Sequence, residues 1–167
     1  MPPDFQRGIL LHRKIDSFTD SHAIFRGSVQ RIDPEFRKFG GVLIDMFYDH
    51  FLARDWQSFS DVPLPQFASE FYGSFDRYCS IMPPDAYAVL LRMQAGDWLC
   101  SYHDIGGIEV ALRRISLRLR RPFDLAPAIA ILERDYDNLQ ADFRAFFPEL
   151  LTYVSTNTPS TNRLIES

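Results

Sequence analysis

Residues 43–52 read Leu-Ile-Asp-Met-Phe-Tyr-Asp-His-Phe-Leu, and this stretch decides the fold. Its large apolar residues recur at the three- and four-residue spacing of one helix face, and Asp45 and Asp49 lie one turn apart. The pattern predicts a helix over about residues 35–56. The residues predicted to share one side of it are Phe36, Phe39, Leu43, Met46, Phe47 and His50.

Proline and glycine divide the rest of the chain into further helical segments. Asp33 and Pro34 have the residue types of a helix start, with Asp as N-cap and Pro at the first helical position. The other predicted helices cover residues 4–25, 66–81, 85–98, 108–119 and 127–147, and Pro148 is predicted to bend or end the last. No stretch alternates as a strand would, so the sequence predicts an all-α, single compact multi-helix domain. This domain is expected over residues 1–154, with a flexible tail at 155–167.

Composition narrows the class of protein. The 167 residues fit one domain, and 46% hydrophobic residues, including 15 Phe, supply a core. The net charge of −4 argues against a general nucleic-acid binder. Cys79 and Cys100 have no metal or redox spacing, and no apolar run is long enough for a membrane span or resembles a signal peptide. We therefore expect a cytoplasmic protein with neither nucleic acid nor membrane as a partner.

Two of the predicted helices carry polar residues where core helices usually carry apolar ones. In the first, His12 and Asp16 are four residues apart, and Asp20 continues their row. In the second, Asp45 and Asp49 repeat this spacing among aromatic and aliphatic neighbours. An unpaired carboxylate in such surroundings costs several kcal/mol. A divalent metal ion shared by the two rows would remove that cost.

The ligand types indicate which metal ions would fit. Mixed imidazole and carboxylate ligands suit manganese, iron, zinc or magnesium, and oxygen-rich sets favour manganese or magnesium. Facing helices of a bundle commonly hold such sites. The same spacing also fits ordinary surface ion pairs, Asp16 with Arg13 or Lys14 and Asp49 with Arg54. From spacing alone, both interpretations stay open.

A cluster of arginines is the main electrostatic feature. Its members, with no acid among them, are Arg113, Arg114, Arg118, Arg120 and Arg121. Arg114, Arg118 and Arg121 are spaced to share one face of the helix predicted over residues 108–119. The cluster is either a solvated helix face or a surface that steers an acidic partner.

These motifs resemble those of one known family. Residues 11–20, Leu-His-Arg-Lys-Ile-Asp-Ser-Phe-Thr-Asp, resemble the His-Arg-x-Ile-Asp-x-x-Thr-Asp segment of acyl carrier protein phosphodiesterases. Residues 45–56 resemble that family's Asp-x-x-x-Asp-His-Phe-Leu segment, closed by tryptophan. Further matches in order and spacing occur at residues 98–108 and 143–148. The resemblance extends to about Leu150.

The resemblance implies a fold and an activity. The family is similar to a divergent, HD-like branch of the His-Asp metal phosphohydrolases, which are helical and use a divalent ion, here usually manganese. It implies hydrolysis of the phosphodiester that joins 4′-phosphopantetheine to the serine of acyl carrier protein. Apo-carrier protein and free 4′-phosphopantetheine would be the products.

Carried onto this chain, the resemblance implies roles for particular residues. The expected metal ligands are His12, Asp16, Asp45 and Asp49. His50 would act as general acid, general base or orienting group; Arg13 would hold phosphate oxygens, and Asp20 would orient Arg13 or a ligand. The face carrying Arg114, Arg118 and Arg121 would receive the acidic recognition helix of the carrier protein.

One departure from the family pattern concerns the N-terminus. Similar chains usually begin with a further segment ending in an Asp-Phe-Val-type motif, whereas Met1-Pro2-Pro3-Asp4 stands close upstream of His12 here. The metal site is therefore expected to lack one aspartate. Two alternatives follow from the same residues: an HD-type phosphohydrolase acting on a small nucleotide, and a non-catalytic helical interaction protein.

Overall fold

The computed structural model describes residues 3–158, with side chains for 6–76 and 78–158. The α-helices in this part are α1 (Pro3–Ser21), α2 (Ala23–Gln30), α3 (Gly40–Arg54), α4 (Leu64–Ser74), α5 (Pro84–Ala95), α6 (Trp98–Ser101), α7 (Ile105–Ser116), α8 (Ile129–Arg134) and α9 (Tyr136–Asn157). Short 3₁₀ turns cover Pro34–Phe39, Trp56–Ser58, Phe75–Tyr78 and Ala126–Ala128. The described residues contain no strand, so the all-α prediction is confirmed. None of these helices has the length and apolarity needed to span a membrane.

Helix α3 occupies the middle of the core. Leu43, Ile44, Phe47 and Phe51 are completely buried, and α2, α7 and α9 all pack against this helix. The interfaces are largely aromatic: the rings of Phe51 and Phe143 on α9, for example, have centroids 6.0 Å apart. A helix enclosed on several sides needs apolar residues beyond a single stripe, which explains the density of such residues in the sequence of α3. The predicted helix is present, but its first turn, before Gly40, is 3₁₀.

The prediction of one continuous helix over residues 4–25 is wrong at His22. This residue has an extended backbone, and its Nδ1 accepts a hydrogen bond from the Ile24 N–H at 3.3 Å, which caps the start of α2. Its Nε2 lies 2.9 Å from Glu149 on α9, and with Nδ1 accepting, Nε2 is the donor. His22 thus separates α1 from α2 while both helices pack on α9. The hydrophobic periodicity of the sequence continues across His22, so it does not reveal the break between the two helices.

Several other predicted boundaries also differ from the structure, and the helix expected over residues 66–81 ends at Ser74. The helix expected over 85–98 stops at Ala95, because Asp97 adopts a left-handed conformation with φ 41° before α6 begins. The last predicted helix is divided into α8 and α9 at Asp135. Pro148 does not end α9, which continues to Asn157. The predicted tail is therefore helical at residues 155–157, and residues 159–167 lie outside the described part.

Candidate functional site

Helices α1 and α3 bring their acidic rows to a single pocket of about 450 Å³, here called the acid pocket. Asp16 and Asp20 reach it from α1, and Asp45 and Asp49 reach it from α3. Much of the remaining lining is aromatic and consists of Phe25, Tyr48, Phe143, Phe146 and Phe147. The polar rows of α1 and α3 therefore face the same space, although 25 or more residues of sequence separate them.

The carboxylates of the acid pocket repel one another. Two causes together raise the pKa of Asp49 to about 7: removal of the carboxylate from bulk water is the larger, and the nearby charge of Asp45 is the smaller. The pKa of Asp45 is likewise raised to about 6, by desolvation first and then by the charges of Asp20 and Asp16. Both side chains are nevertheless exposed to solvent in this open pocket, so their mutual repulsion is partly screened. Such a pocket favours protons or cations.

His12 lies at the edge of this arrangement. It is 76% exposed, and its Nδ1 is 2.9 Å from a carboxylate oxygen of Asp16. His12 and Arg13 line a second pocket of about 700 Å³, between α1 and the segment containing Phe75 and Met82. Asp16 lines both pockets, so it connects His12 to the acid pocket.

The fit of these residues to a metal ion can be tested on their chemistry and their spacing. Carboxylate oxygens are the ligands that manganese and magnesium prefer, and the mutual repulsion of Asp45 and Asp49 provides a reason to bind a cation. Within the described part of the chain, however, no three His, Cys, Asp or Glu side chains are grouped closely enough to hold an ion. The donor types therefore fit a divalent metal ion, but the candidate ligands lie too far apart to share one coordination sphere.

His50 lies in the core, outside the lining of the acid pocket. It is completely buried, with Nδ1 2.9 Å from the Tyr102 carbonyl and Nε2 2.9 Å from the Tyr136 hydroxyl. A carbonyl can only accept, so Nδ1–H donates to Tyr102 and Nε2 accepts from Tyr136. Burial lowers the pKa of His50, which favours this neutral form. In this position His50 orients the backbone at Tyr102.

Tyr102 extends the site towards a third pocket. Burial raises the pKa of the Tyr102 hydroxyl to about 12, and the charge of Asp49 contributes in the same direction. Both residues line a pocket of about 340 Å³, here called the apolar pocket, whose other walls are almost entirely hydrophobic. Sequence reasoning missed the apolar pocket, because a residue that lines a pocket and one that fills a core have the same hydrophobic periodicity.

Comparison with known proteins decides the family. A family model described as acyl carrier protein phosphodiesterase matches residues 1–150. The chain belongs to this family. The matching residues include the α1 and α3 segments that line the acid pocket, as the resemblance of their motifs predicted. The protein is an enzyme of the phosphodiesterase type.

Curated relatives agree with this membership in the acyl carrier protein phosphodiesterase family. The chain is 28% identical to the acyl carrier protein phosphodiesterase of Enterobacter sp. (strain 638) over 151 residues, covering 90% of this chain and 78% of that protein. It is 29% identical over 155 residues to that of Escherichia coli (strain K12 / DH10B), with 92% and 80% covered. No solved structure matches the chain. The HD-like arrangement of the fold stays a prediction.

In this phosphodiesterase, the arginine cluster is not a helix face. Helix α7 ends at Ser116, so Arg118 and Arg121 lie beyond it, and the prediction that they share a helical face with Arg114 is wrong. The Ser116 hydroxyl accepts the Leu125 N–H at 2.9 Å, which ties the end of α7 to the returning chain. Arg114 instead places its guanidinium 4.2 Å from the centre of the Trp98 ring. Arg118 and Arg121 are exposed in the connecting segment.

Proposed function

We propose that this enzyme hydrolyses the phosphodiester that joins 4′-phosphopantetheine to the serine of holo-acyl carrier protein. Water attacks phosphorus, the bond from phosphorus to the serine oxygen breaks, and that oxygen leaves with a proton. Apo-carrier protein and free 4′-phosphopantetheine are the products. The observation that carries the proposal is the family match over residues 1–150, whose α1 and α3 segments line the acid pocket.

The proposal includes a divalent cofactor, manganese first and magnesium second. His12, Asp16, Asp45 and Asp49 would hold it, and the raised pKa values of Asp45 and Asp49 support the binding of positive charge there. When bound, the ion would supply charge that neutralises phosphate oxygens. These four side chains would have to approach one another on binding, because the described residues do not form a ready coordination sphere.

The remaining residues act on the substrate or on one another. Arg13 lines the second pocket together with His12, and its guanidinium would hold phosphate oxygens. Asp20 lines the acid pocket and would orient Arg13 or a metal ligand. His50 would position Tyr102 beside Asp49 through the hydrogen bond to the Tyr102 carbonyl.

We further propose that the exposed arginines after α7 bind the acidic carrier protein. Arg118 and Arg121 extend from the connecting segment and carry charge opposite to such a partner. Arg114 would contribute less, because its guanidinium is already packed on Trp98. Cytoplasmic location belongs to the same proposal and is consistent with two free cysteines, Cys79 and Cys100.

The test offers two kinds of substrate in parallel. The enzyme is incubated with manganese and either holo-carrier protein or a panel of nucleotides, and free 4′-phosphopantetheine and nucleotide products are measured by chromatography. We expect release from the carrier protein, abolished by a chelator, and no nucleotide turnover. Turnover of nucleotides alone would favour the small-nucleotide phosphohydrolase. Binding of carrier protein without any turnover would favour the non-catalytic interaction protein.

A further inference from the structure

The apolar pocket has a defined place next to the acid pocket. The segment from α3 to α4, the α6 region and α9 enclose it, and its apolar walls include Leu52, Trp56, Phe59, Phe67, Leu99 and Phe147. Asp49, Leu52 and Phe147 line both pockets. A molecule that fills the apolar pocket can therefore contact Asp49 and extend into the acid pocket.

Side-chain contacts fix the walls of the apolar pocket in place. The indole N–H of Trp56 donates to the Val62 carbonyl at 2.7 Å, and the Trp56 and Phe67 rings have centroids 4.7 Å apart. Opposite them, Phe59 and Phe147 pack edge to face at 4.8 Å. Phe67 is nevertheless 38% exposed, so apolar surface stays open to solvent at this site. A preformed apolar space of about 340 Å³ has the size and character of a small-molecule subsite.

We infer that this pocket binds the pantoyl end of the 4′-phosphopantetheine arm, an inference that rests on the proposed function. In that arm, the carbon two bonds beyond the phosphate ester oxygen carries two methyl groups, so an apolar branched unit lies within about 4 Å of the phosphate. Because Asp49, Leu52 and Phe147 line both pockets, a phosphate held in the acid pocket would place this unit next to the apolar pocket. Burial of the two methyl groups supplies binding free energy that a nucleotide's polar sugar would not.

The position of the pocket also argues against an acyl chain as its occupant. An acyl group is attached to the thiol at the far end of the arm, roughly 15 Å from phosphorus when extended. The pocket shares Asp49 with the site of the phosphodiester, which is far closer than that distance allows for a straight arm. The pocket therefore selects the arm itself, whatever acyl group it carries.

A direct binding test uses the two tryptophans of the chain. In the Trp98→Phe variant, Trp56 becomes the reporter inside the pocket, and pantetheine without phosphate is the probe. We expect saturable quenching or a shift of Trp56 emission, and no such change in the matched Trp56→Phe variant, whose remaining Trp98 lies outside the pocket lining. An analogue that lacks the two methyl groups should bind roughly tenfold more weakly.

A kinetic test separates this inference from the proposed function. Phe67→Ala removes one wall of the pocket and should raise the KM for holo-carrier protein roughly tenfold, whereas kcat at saturating carrier protein should change much less. Phe71→Ala is the control, because Phe71 contacts Phe67 in α4 and does not line the pocket.

Unchanged Trp56 emission in an enzyme that cleaves holo-carrier protein would overturn the inference and leave the proposed function standing. A Phe67→Ala effect seen only with acyl-loaded carrier protein would assign the pocket to the acyl chain and would also overturn it. Pantetheine binding without cleavage of holo-carrier protein would overturn the proposed function.

Discussion

At the scale of single residues, Asp49 and Asp45 differ from surface aspartates in their affinity for protons. Asp49 has a pKa of about 7 in the folded protein against an ordinary value of 3.8, so the folded state binds its proton more tightly than the unfolded state does. Between about pH 4 and 7 the folded state therefore holds more protons, and the free energy of unfolding falls as pH rises through this window. Below pH 4 both states are protonated and Asp49 contributes no pH dependence.

The first prediction replaces Asp49 with asparagine, which removes the charge and preserves the shape. Without metal at pH 8, we expect Asp49→Asn to be more stable than the wild type by on the order of 1 kcal/mol, since solvent contact screens the repulsion, or about 2–4 °C in Tm. At pH 4 the wild type and Asp49→Asn should have the same Tm. Asp61→Asn, in the exposed connector before α4, is the control and should not change Tm. Wild-type turnover of Asp49→Asn under saturating manganese would contradict the ligand role of Asp49.

The second prediction concerns His50. Because burial lowers its pKa, the unfolded chain takes up a proton first as pH falls below about 6.5, and stability is lost there. His50→Ala removes both hydrogen bonds and a buried ring, and it should cost about 2–4 kcal/mol in denaturant unfolding at pH 7. If His50 only positions Tyr102, the variant's pH profile of kcat should keep its shape. A normally stable variant that loses one limb of that profile would show acid–base catalysis instead.

At the scale of helices, sequence patterns predicted α3 well and the junctions poorly. The apolar residues of α3 are spaced for a helix enclosed on several sides, and that information is local. At the break, the His22 side chain contacts Glu149, which is 127 residues away in the chain, and no local pattern contains that contact. Pro148 does not stop α9, which continues to Asn157, and Tyr153 beyond it stacks on Phe18 of α1 with ring centroids 4.4 Å apart. Both the break at His22 and the continuation of α9 past Pro148 involve tertiary contacts, which local sequence patterns do not contain.

The third prediction tests the close approach of α6 and α7. A Cβ at Gly107 would clash with the Ser101 carbonyl oxygen, which belongs to the backbone and cannot move aside without shifting the chain. Gly107→Ala should therefore lower stability by at least about 2 kcal/mol and disturb the neighbouring Tyr102. Gly106→Ala is a matched control in the same helix turn, where a Cβ meets nothing within 4 Å, and it should be neutral or slightly stabilising. Equal thermal melts for the two variants would contradict this packing.

At the scale of the whole molecule, a net charge of −4 coexists with the exposed arginines after α7. The fourth prediction is that Arg118→Gln with Arg121→Gln raises the KM for holo-carrier protein at low salt roughly fivefold, equivalent to about 1 kcal/mol. The effect should disappear as salt rises, because exposed charges are screened over about 8–10 Å at physiological ionic strength. Arg114→Gln should lower stability through its lost contact with Trp98 more than it changes KM. If the double variant and the wild type have equal KM at low salt, the carrier protein docks elsewhere.

In the candidate site, too, some features could be predicted from local sequence and others depend on tertiary contacts. Sequence spacing grouped Asp16 with Asp20 and Asp45 with Asp49 and left open whether the two rows form one site; the structure brings these four carboxylates to one pocket, whose lining does not include His12. The apolar pocket arises where three separate segments meet, so hydrophobic periodicity could not distinguish its walls from core. His50 follows Asp49 directly, but the helix turn points it into the core, where Tyr136 and Tyr102 determine its tautomer.

The most direct test of the central claim, cleavage of holo-carrier protein at the acid pocket, is the intact mass of the carrier protein. The wild type and the Asp45→Asn/Asp49→Asn double variant are each incubated with holo-carrier protein and saturating manganese, and the carrier is then weighed by mass spectrometry. The wild type should lower the carrier's mass by one 4′-phosphopantetheine group, and the double variant should leave it unchanged. A carrier mass that stays unchanged with the wild type, or that falls equally with both proteins, would contradict the account.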